Sequence, residues 1–422
     1  MNILMIAPEP FFEPRGTPFS EYHRIRALLE LGHTVDLVTY PFGRDVSMPG
    51  LQIFRCLRPP FMSRVKIGPS YAKVALDIAL AVTALRQGLR DRYDVVHSHE
   101  EGSAIGIVLA AMLGLPHLYD MHSSLPQQLS NFAFSRSRVL RGFFRMLECR
   151  VIRRSRVIVV ICPHLQNIVH DIDPTACTIL IENAPGAGDG PTTGTRTSVR
   201  QDLQLTALMP MVLYTGTFES YQGLDLFLAA ARHVRNQLPD ARFVLVGGHP
   251  DQIAKVRRQA RELMIADRAI FLGERPAEEI PAFLDAADVL VSPRSTGTNT
   301  PLKIYQYLRA GRPIVATRLL AHTQVLTDEV AILTEPTPEA FAEGIIRAVR
   351  DVRLARQLGE RAIALAESRY SHHAYLARTR EAYAALRGER GPQRGAPIAA
   401  AVLGTPQRGA EGSPPASRLV GG

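Results

Sequence analysis

Two sets of side chains in this sequence are spaced for chemistry on an anion or a hydroxyl group. The first lies in Val289 to Thr317, VLVSPRSTGTNTPLKIYQYLRAGRPIVAT. There an apolar run ends at Ser292-Pro293, a loop of Ser, Thr, Gly and Asn follows, and a helical stretch runs from Leu302 to Ala310 before Gly311. A strand, a polar loop and a helix N-terminus leave free amides and the positive end of the helix dipole pointing outward, which suits an anion. Arg294 and Lys303 add positive charge there. On geometry alone, an ordinary strand–helix turn reads the same way. The second set sits at two apolar strand ends, Tyr93-Asp-Val-Val-His-Ser-His99 and Leu118-Tyr-Asp-Met-His122. His97 lies inside its apolar run and reads as a core histidine. His99 falls at the carboxyl end, where ligands gather in α/β sheets, and a core role and a ligand role weigh equally for it. His122 and Asp120 fall in the loop at the next strand end.

Such strand ends need parallel sheets to present them. Apolar runs alternate with helical patterns along the chain, the signature of βαβ units. In the first half the strands are expected at Asn2 to Ala7, Val35 to Thr39, Ile53 to Leu57, Val95 to His97, His117 to Asp120, Val157 to Ile161 and Thr178 to Ile181. Helices are expected at Phe19 to Leu31, Ser70 to Arg90 and Ser103 to Leu113. The second half repeats the plan from Met211 to Leu333, followed by helices at Pro338 to Leu358, Arg361 to Glu367 and Ser371 to Arg387. The stretch PGAGDGPTTGTRTS, from Pro185, is rich in Gly, Pro and Thr and has linker composition. The expected division is therefore 1–184, a linker at 185–199, a second domain at 200–370, a terminal helix at 371–387 that can return to the first domain, and a disordered tail at 388–422.

At 422 residues the chain has room for two full cores. A formal net charge of +9 fits anionic substrates, anionic lipid or nucleic acid. Nucleic acid is disfavoured because the arginines cluster without aromatic stacking platforms. Cys56, Cys149, Cys162 and Cys177 are widely spaced and read as reduced thiols of a cytosolic protein, not a disulfide framework or zinc site. The N-terminus lacks the basic and long apolar regions of a signal peptide. The runs Val74 to Leu85 and Ala104 to Leu115 are too short to span a bilayer.

With those motifs in place, the sequence resembles the GT-B glycosyltransferases of the family-4 (group 1) type. Gly311-Arg-Pro-Ile-Val-Ala-Thr317 fits the family's "G-x-P-(V/I)-(V/I)-A-T". Leu28 to Val35 resembles its "L-x-x-x-G-H-x-V", Asp94 to His99 its "D-V-V-H-x-H", and Leu213 to Asp225 the segment that opens its second domain. The order agrees over nearly all of residues 1 to 387. The resemblance implies two Rossmann-like domains facing across a cleft, and transfer of a sugar from a nucleotide donor to a hydroxyl acceptor with retention at the anomeric carbon. That acceptor is a glycan, a lipid-linked sugar or a small molecule. The GT-B fold generally works without a bound metal, no DxD-type dyad is present, and the nucleotide-sugar is a substrate, so no cofactor is expected.

By the same resemblance His122 lies near the transferring sugar, with Asp120 beside it, Lys303 bearing leaving-group charge and His99 on the acceptor side. Gly16, Gly216, Thr217, Gln222, Gly248, Glu274, Arg275, Arg294, Asn299, Thr300, Leu302 and Gln306 fall on donor-binding positions. Several departures from the family pattern stand out. Its Glu-x7-Glu pair reads Thr298 and Gln306, its donor Arg and Lys read Thr217 and Gln222, and its Gly-Gly pair reads Arg15-Gly16. Charge for the diphosphate then has to come from Lys303 or Arg294, and Asn299 or Thr300 has to stand in at the sugar. These losses keep two other readings open: a non-catalytic sugar-nucleotide or glycan-binding protein, and a GT-B sugar-nucleotide epimerase, which needs carboxylates in its cleft. Finally, Phe132 to Arg156 carries eight arginines among Phe, Leu, Val and Met. It reads either as a solvated face with Leu140, Phe144 and Leu147 turned inward, or as a basic amphipathic helix lying on an anionic membrane from the cytoplasmic side.

Overall fold

A computed structural model describes residues 1–12, 16–60, 62, 71–126, 138–182 and 194–389. The expected tail, apart from Gly388 and Glu389, and residues 185–193 of the expected linker lie outside the described residues. The first lobe runs β1 (Asn2–Ala7), α1 (Gly16–Glu30), β2 (Thr34–Thr39), β3 (Leu51–Arg55), α2 (Tyr71–Arg90), β4 (Val95–His99), α3 (Ser103–Leu113), β5 (His117–Met121), α4 (Arg138–Arg154), β6 (Val157–Val160), α5 (Pro163–Ile172) and β7 (Thr178–Leu180). The second opens with α6 (Arg196–Asp202), β8 (Met211–Thr215), α7 (Leu224–Gln237), β9 (Arg242–Val246), α8 (Pro250–Glu262) and β10 (Ala269–Gly273). It continues with α9 (Ile280–Ala286), β11 (Val289–Ser292), α10 (Lys303–Ala310), β12 (Ile314–Thr317), α11 (Leu320–Thr323), β13 (Ile332–Thr334), α12 (Pro338–Arg350), α13 (Val352–Arg369) and α14 (His372–Leu386).

Among the described residues the strands form two sheets, one of seven strands in the order β3-β2-β1-β4-β5-β6-β7 and one of six in the order β10-β9-β8-β11-β12-β13. The pairings within each are parallel. Strands such as β4, β5, β8, β11 and β12 are buried along their whole length. That burial is why β8, β11 and β12 read as near-continuous apolar runs and not as alternating ones. In each sheet the chain reverses its direction of travel once, between β1 and β4 and between β8 and β11. A ligand crevice opens at the carboxyl ends of the strands flanking such a reversal.

The last described helix leaves the second lobe and packs on the first. Tyr375, Ala382, Tyr383 and Leu386 of α14 share one core with Ile3, Met5, Leu37 and Val159. Arg378 pairs with Glu182, and His372 Nε2 lies 2.8 Å from Glu30 Oε2.

Several elements differ from the sequence expectation. Residues 196–199, expected as linker, open α6, because Thr195 caps it: Thr195 Oγ1 accepts from Ser198 N at 3.2 Å and Thr195 N donates back to Ser198 Oγ at 2.9 Å. The single helix expected over 338–358 breaks at Asp351, whose carboxylate accepts from Leu354 N at 2.9 Å and starts α13. That new helix runs unbroken through the expected 361–367 segment. α5 is absent from the expected elements: Pro163 at its first turn and Leu165 and Val169 on its buried side fold it against β6 and β7.

Close backbone approach fixes the loops of the second lobe. Gly223 has φ +71°, and a Cβ there would fall 1.9 Å from Pro293 O, so the turn after β8 lies directly against the turn after β11.

Candidate active site

The parallel register of β4 and β5 sets His99 beside Asp120. Because side chains two apart share a strand face, His97 joins His99 there, their rings stacked at 4.7 Å and 13°. Asp120 is the hub of the group. Its Oδ2 accepts from Arg24 Nε at 2.9 Å and lies 3.5 Å from His97 Nε2 and 4.0 Å from His99 Nδ1. Its Oδ1 lies 3.2 Å from His122 Nε2. Second neighbours come from α14: His97 Nδ1 is 2.8 Å from Tyr383 Oη, Arg24 Nη1 donates to Thr379 Oγ1 at 3.4 Å, and the Arg24 guanidinium lies over the Tyr375 ring. Arg24, His97, His99 and Asp120 are all buried, and His122, 6% exposed, also reaches solvent only slightly.

Charges in this group settle one another. Burial opposes ionisation of Asp120, but the Arg24 guanidinium, then His122, outweigh it and hold the carboxyl well below its ordinary range. Burial likewise opposes a charged His122, and the Asp120 carboxylate outweighs it, so His122 is raised above the usual imidazole value. Burial dominates at His97 and His99 and keeps both rings neutral. A cationic His122 held by an anionic Asp120 can donate a hydrogen bond to a sugar oxygen on which charge develops.

Three buried carboxyls surround the pair. Burial raises Glu100 to about 8 against the opposing pull of His122, and its oxygens accept from Ser123 Oγ at 2.9 and 3.2 Å. Burial raises Glu21 to about 7 and, with Glu21 as its neighbour, raises Glu9 well above the ordinary range. The sequence reading does not single out Arg24, Glu9, Glu21, Glu100 or Tyr383. A signal is present for two of them: Glu21 and Arg24, three apart, share a helix face with Leu28, and a charged pair on an apolar stripe implies a buried partner.

In the second lobe Lys303 sits at the start of α10, buried, with its Nζ 3.3 Å from Gln222 Oε1 and 3.9 Å from the centre of the Tyr214 ring. The ammonium thus stands at Gln222, the position where the resemblance expects a lysine. Burial, with Arg294 nearby, pushes Lys303 well below the usual lysine range. The turn at Gly216 is close by: a Cβ on Gly216 would fall 3.6 Å from Lys303 Nζ. Thr217 is exposed and its Oγ1 accepts from Gln222 Nε2 at 3.4 Å. Arg294 is turned back on its own loop: Nη1 donates to Asn299 O at 2.7 Å, Nε to Thr296 O at 2.9 Å, and its guanidinium covers the Tyr221 ring.

The remaining expected donor residues are spread more widely. Gly248 packs under Phe218. Glu274 is exposed and pairs with His249 at 3.4 Å, while Arg275, also exposed, faces Glu279 at 3.8 Å. Leu302 and Gln306 are half-buried, Thr300 is buried, and Gly16 is the first residue of α1. Asn299 reaches the other lobe. Its side-chain amide donates across the lobes to His122 O at 2.8 Å, and its Oδ1 lies 3.9 Å from Cys162 Sγ. A second bridge runs from His164 N to Gln324 Oε1 at 2.8 Å, with Gln324 Nε2 donating to Thr298 O at 2.6 Å. Gln324 carries no signal in the sequence.

Two facing parallel-sheet lobes, joined at their carboxyl edges and closed by a returning helix, define a GT-B architecture. Residues 22–179 match the glycosyl transferase 4-like domain and residues 209–351 match the glycosyl transferases group 1 domain. The chain belongs to the GT-B glycosyltransferase family of this family-4, group 1 type. A relative, the D-inositol 3-phosphate glycosyltransferase of Corynebacterium diphtheriae, is 25% identical over 287 residues, 64% of this chain and 66% of that protein. The chain therefore spans about two thirds of that relative's length. One component of the human phosphatidylinositol N-acetylglucosaminyltransferase is 24% identical over 363 residues, 82% of this chain and 68% of that protein. Among solved structures, sucrose-phosphate synthase from Thermosynechococcus elongatus superposes with a TM-score of 0.75 at 20% identity, covering 92% of this chain and all of the other (100%). Anabaena HepE in complex with UDP and glucose gives 0.70 at 18% identity, covering 91% of this chain and 99% of the other. Among the described residues no helix is long and apolar enough to cross a membrane.

Proposed function

We propose that this protein transfers a sugar from a nucleotide-sugar to a hydroxyl acceptor with retention of anomeric configuration, using no resident metal or cofactor. The observation that carries the reading is the meeting of two loops. Asn299, on the loop leading into Lys303, is bonded to the main chain of His122, so the cation for a departing diphosphate and the imidazole for the sugar belong to one connected site. In this reading the amides beside Gly216 and the Lys303 ammonium take the charge of the leaving diphosphate. His122, held by Asp120, hydrogen-bonds the sugar being transferred, and the acceptor enters on the His99 side. Gln306 takes the place of a ribose-binding carboxylate with a neutral amide.

A melting-temperature screen against UDP-, GDP- and ADP-sugars tests donor binding, since a ligand of the native state raises it. Incubating the donor that binds with sugar phosphates, inositol phosphate and phosphatidylinositol tests transfer. The last two are chosen from what the relatives are named for. A proton spectrum of the product anomer tests retention, and unchanged turnover in a chelator tests metal independence. Donor that binds but is neither transferred nor hydrolysed points to a binding protein. Donor returned as an isomer supports the epimerase, for which Glu9, Glu21 and Glu100 offer buried carboxyl groups.

The place of action we propose is the cytoplasmic face of an anionic membrane, contacted peripherally. On α4 the residues Leu140, Phe144 and Leu147 are half-buried, while Val139, Phe143 and Met146 are exposed together with Arg141, Arg145, Arg150, Arg153 and Arg154. Neighbouring α3 and α2 add exposed Val108, Met112, Ile78 and Val82. An apolar strip set among arginines suits an anionic lipid surface. Sedimentation with phosphatidylglycerol vesicles but not phosphatidylcholine vesicles, lost in Phe143→Ser/Met146→Ser, is the expected result.

A further inference from the structure

Behind His122 the first lobe holds a group of metal-ligating atoms, which includes the carboxylate that holds His122. One nitrogen each from His97 and His99 and one oxygen of Asp120 lie within 4.8 Å of one another, in the interior. Among the described residues neither ring nitrogen of His99 finds a hydrogen-bond partner, and neither does His97 Nε2. Buried polar atoms normally find partners, because leaving one unmade costs about 1–3 kcal/mol. A ligand common to both rings would satisfy them together.

The distances suit a metal ion. Nitrogen and oxygen ligands about 2.0–2.2 Å from a tetrahedral ion lie about 3.3 Å from one another. Here the separations are 3.5 Å from His97 Nε2 and 4.0 Å from His99 Nδ1 to Asp120 Oδ2. A small rotation of His99 brings the set into range. The outer shell is in place as well. His97 Nδ1 meets Tyr383 Oη at 2.8 Å, which leaves Nε2 as the coordinating nitrogen, and Arg24 Nε fixes Asp120 through one lone pair of Oδ2.

We propose that His97, His99 and Asp120 bind one divalent transition-metal ion of the zinc class, and that its binding inhibits the enzyme. Two imidazoles and one carboxylate favour such an ion over magnesium or calcium, which seek oxygen ligands. The adjacent Arg24 guanidinium further disfavours an ion held by charge alone. Inhibition follows from geometry: Asp120 Oδ1 is 3.2 Å from His122 Nε2, and an ion that draws the carboxylate towards His97 and His99 takes from His122 the group that positions its ring. The site goes beyond the proposed transfer reaction, and the binding half of the test does not depend on that reaction.

The test is cobalt(II) titration of the tag-free, chelator-treated full-length protein, followed by visible absorption. One equivalent is expected to give the intense d–d bands of a four- or five-coordinate site, displaced by zinc and untouched by magnesium. Tyr383→Phe, which keeps all three ligands, is expected to weaken binding about 10- to 100-fold. His99→Gln, with its fold checked by circular dichroism, is expected to abolish the bands. Wild-type protein without bands at stoichiometric cobalt overturns the site, whatever the variants do. Bands that persist in His99→Gln also overturn it. Zinc is expected to stop sugar transfer by wild-type protein and EDTA to restore it. Bands with no loss of transfer overturn the inhibitory role.

Discussion

Asn299 and His122 belong to different lobes, 177 residues apart in sequence, yet the Asn299 side-chain amide donates to the His122 main-chain oxygen at 2.8 Å. Residue 299 therefore ties the loop that leads into Lys303 to the strand end that carries the imidazole. Arg294 Nη1 donates to Asn299 O at 2.7 Å, so the same residue is held from both sides.

If this bond aligns the lobes, its loss should be felt in turnover more than in donor binding. Asn299→Ala is expected to lower kcat about 10- to 100-fold, of the order known for small misplacements of reacting groups, while donor affinity measured by calorimetry changes less than about threefold. Equal losses in both would instead place the Asn299 side chain on the donor.

Lys303 makes a prediction about protons. Its ammonium is buried against Tyr214 and beside Arg294, and its pKa lies well below the usual lysine range. A diphosphate arriving at the Gly216 turn would favour the charged form, so binding should take up a proton whenever Lys303 is partly neutral in the free protein. Calorimetry of UDP or GDP in two buffers of different ionisation enthalpy is expected to show that uptake. Lys303→Met, which keeps the stem and removes the charge, should abolish the uptake and lower kcat about 100-fold. Charge reversal, Lys303→Glu, should remove measurable donor binding. Unchanged affinity in that variant would mean the ammonium does not meet the donor.

The sequence exposes the scaffold far better than the site, for a physical reason. Buried parallel strands need unbroken apolar runs, so β1, β8 and β11 are legible as runs rich in Ile, Leu, Met and Val. Gly311 is legible as a helix stop because a left-handed residue is needed there, and its φ is +63°. His99 and Asp120 can be named as strand-end residues, but nothing local says that they face one another. That depends on the β4–β5 register. The partners of Arg24, Tyr383 and Gln324 are invisible because each lies far away in the chain: Arg24 reaches Asp120 across 96 positions and Tyr383 reaches His97 across 286. The bond from Asn299 to His122 is likewise hidden, since its partner lies 177 positions away. A loop asparagine at a strand end reads as a ligand, and only the facing lobe reveals its bond to His122.

The buried pair of Arg24 and Asp120 yields a stability prediction. The guanidinium donates to the carboxylate at 2.9 Å with both side chains nearly out of water. Removing one partner strands a charge, which typically costs about 3–5 kcal/mol, whereas removing both is often close to neutral. Asp120→Asn alone is therefore expected to destabilise the protein by about that amount in urea unfolding. Arg24→Met/Asp120→Asn should recover at least half of the loss. Additive losses in the double variant would show that the two groups do not stabilise one another.

Glu100 links the site to pH. Its carboxyl is buried and its pKa rises to about 8 in the folded protein, against an ordinary carboxylate value of about 4.5. The folded state thus keeps a proton that the unfolded state releases. The stability this contributes is complete below pH about 4.5, falls as pH rises towards 8, and levels off above it. Glu100→Gln removes the titration while keeping an oxygen to accept from Ser123 Oγ, now 2.9 Å from Glu100 Oε2. The variant is expected to gain on the wild type steadily between those pH values, ending a few kcal/mol more stable at pH about 8, since each pH unit of difference is worth about 1.4 kcal/mol. Melting curves of both proteins at half-unit steps of pH measure the gap. Curves that stay parallel across the range would show that Glu100 titrates as an ordinary surface carboxylate and that His122 faces an anion there at neutral pH.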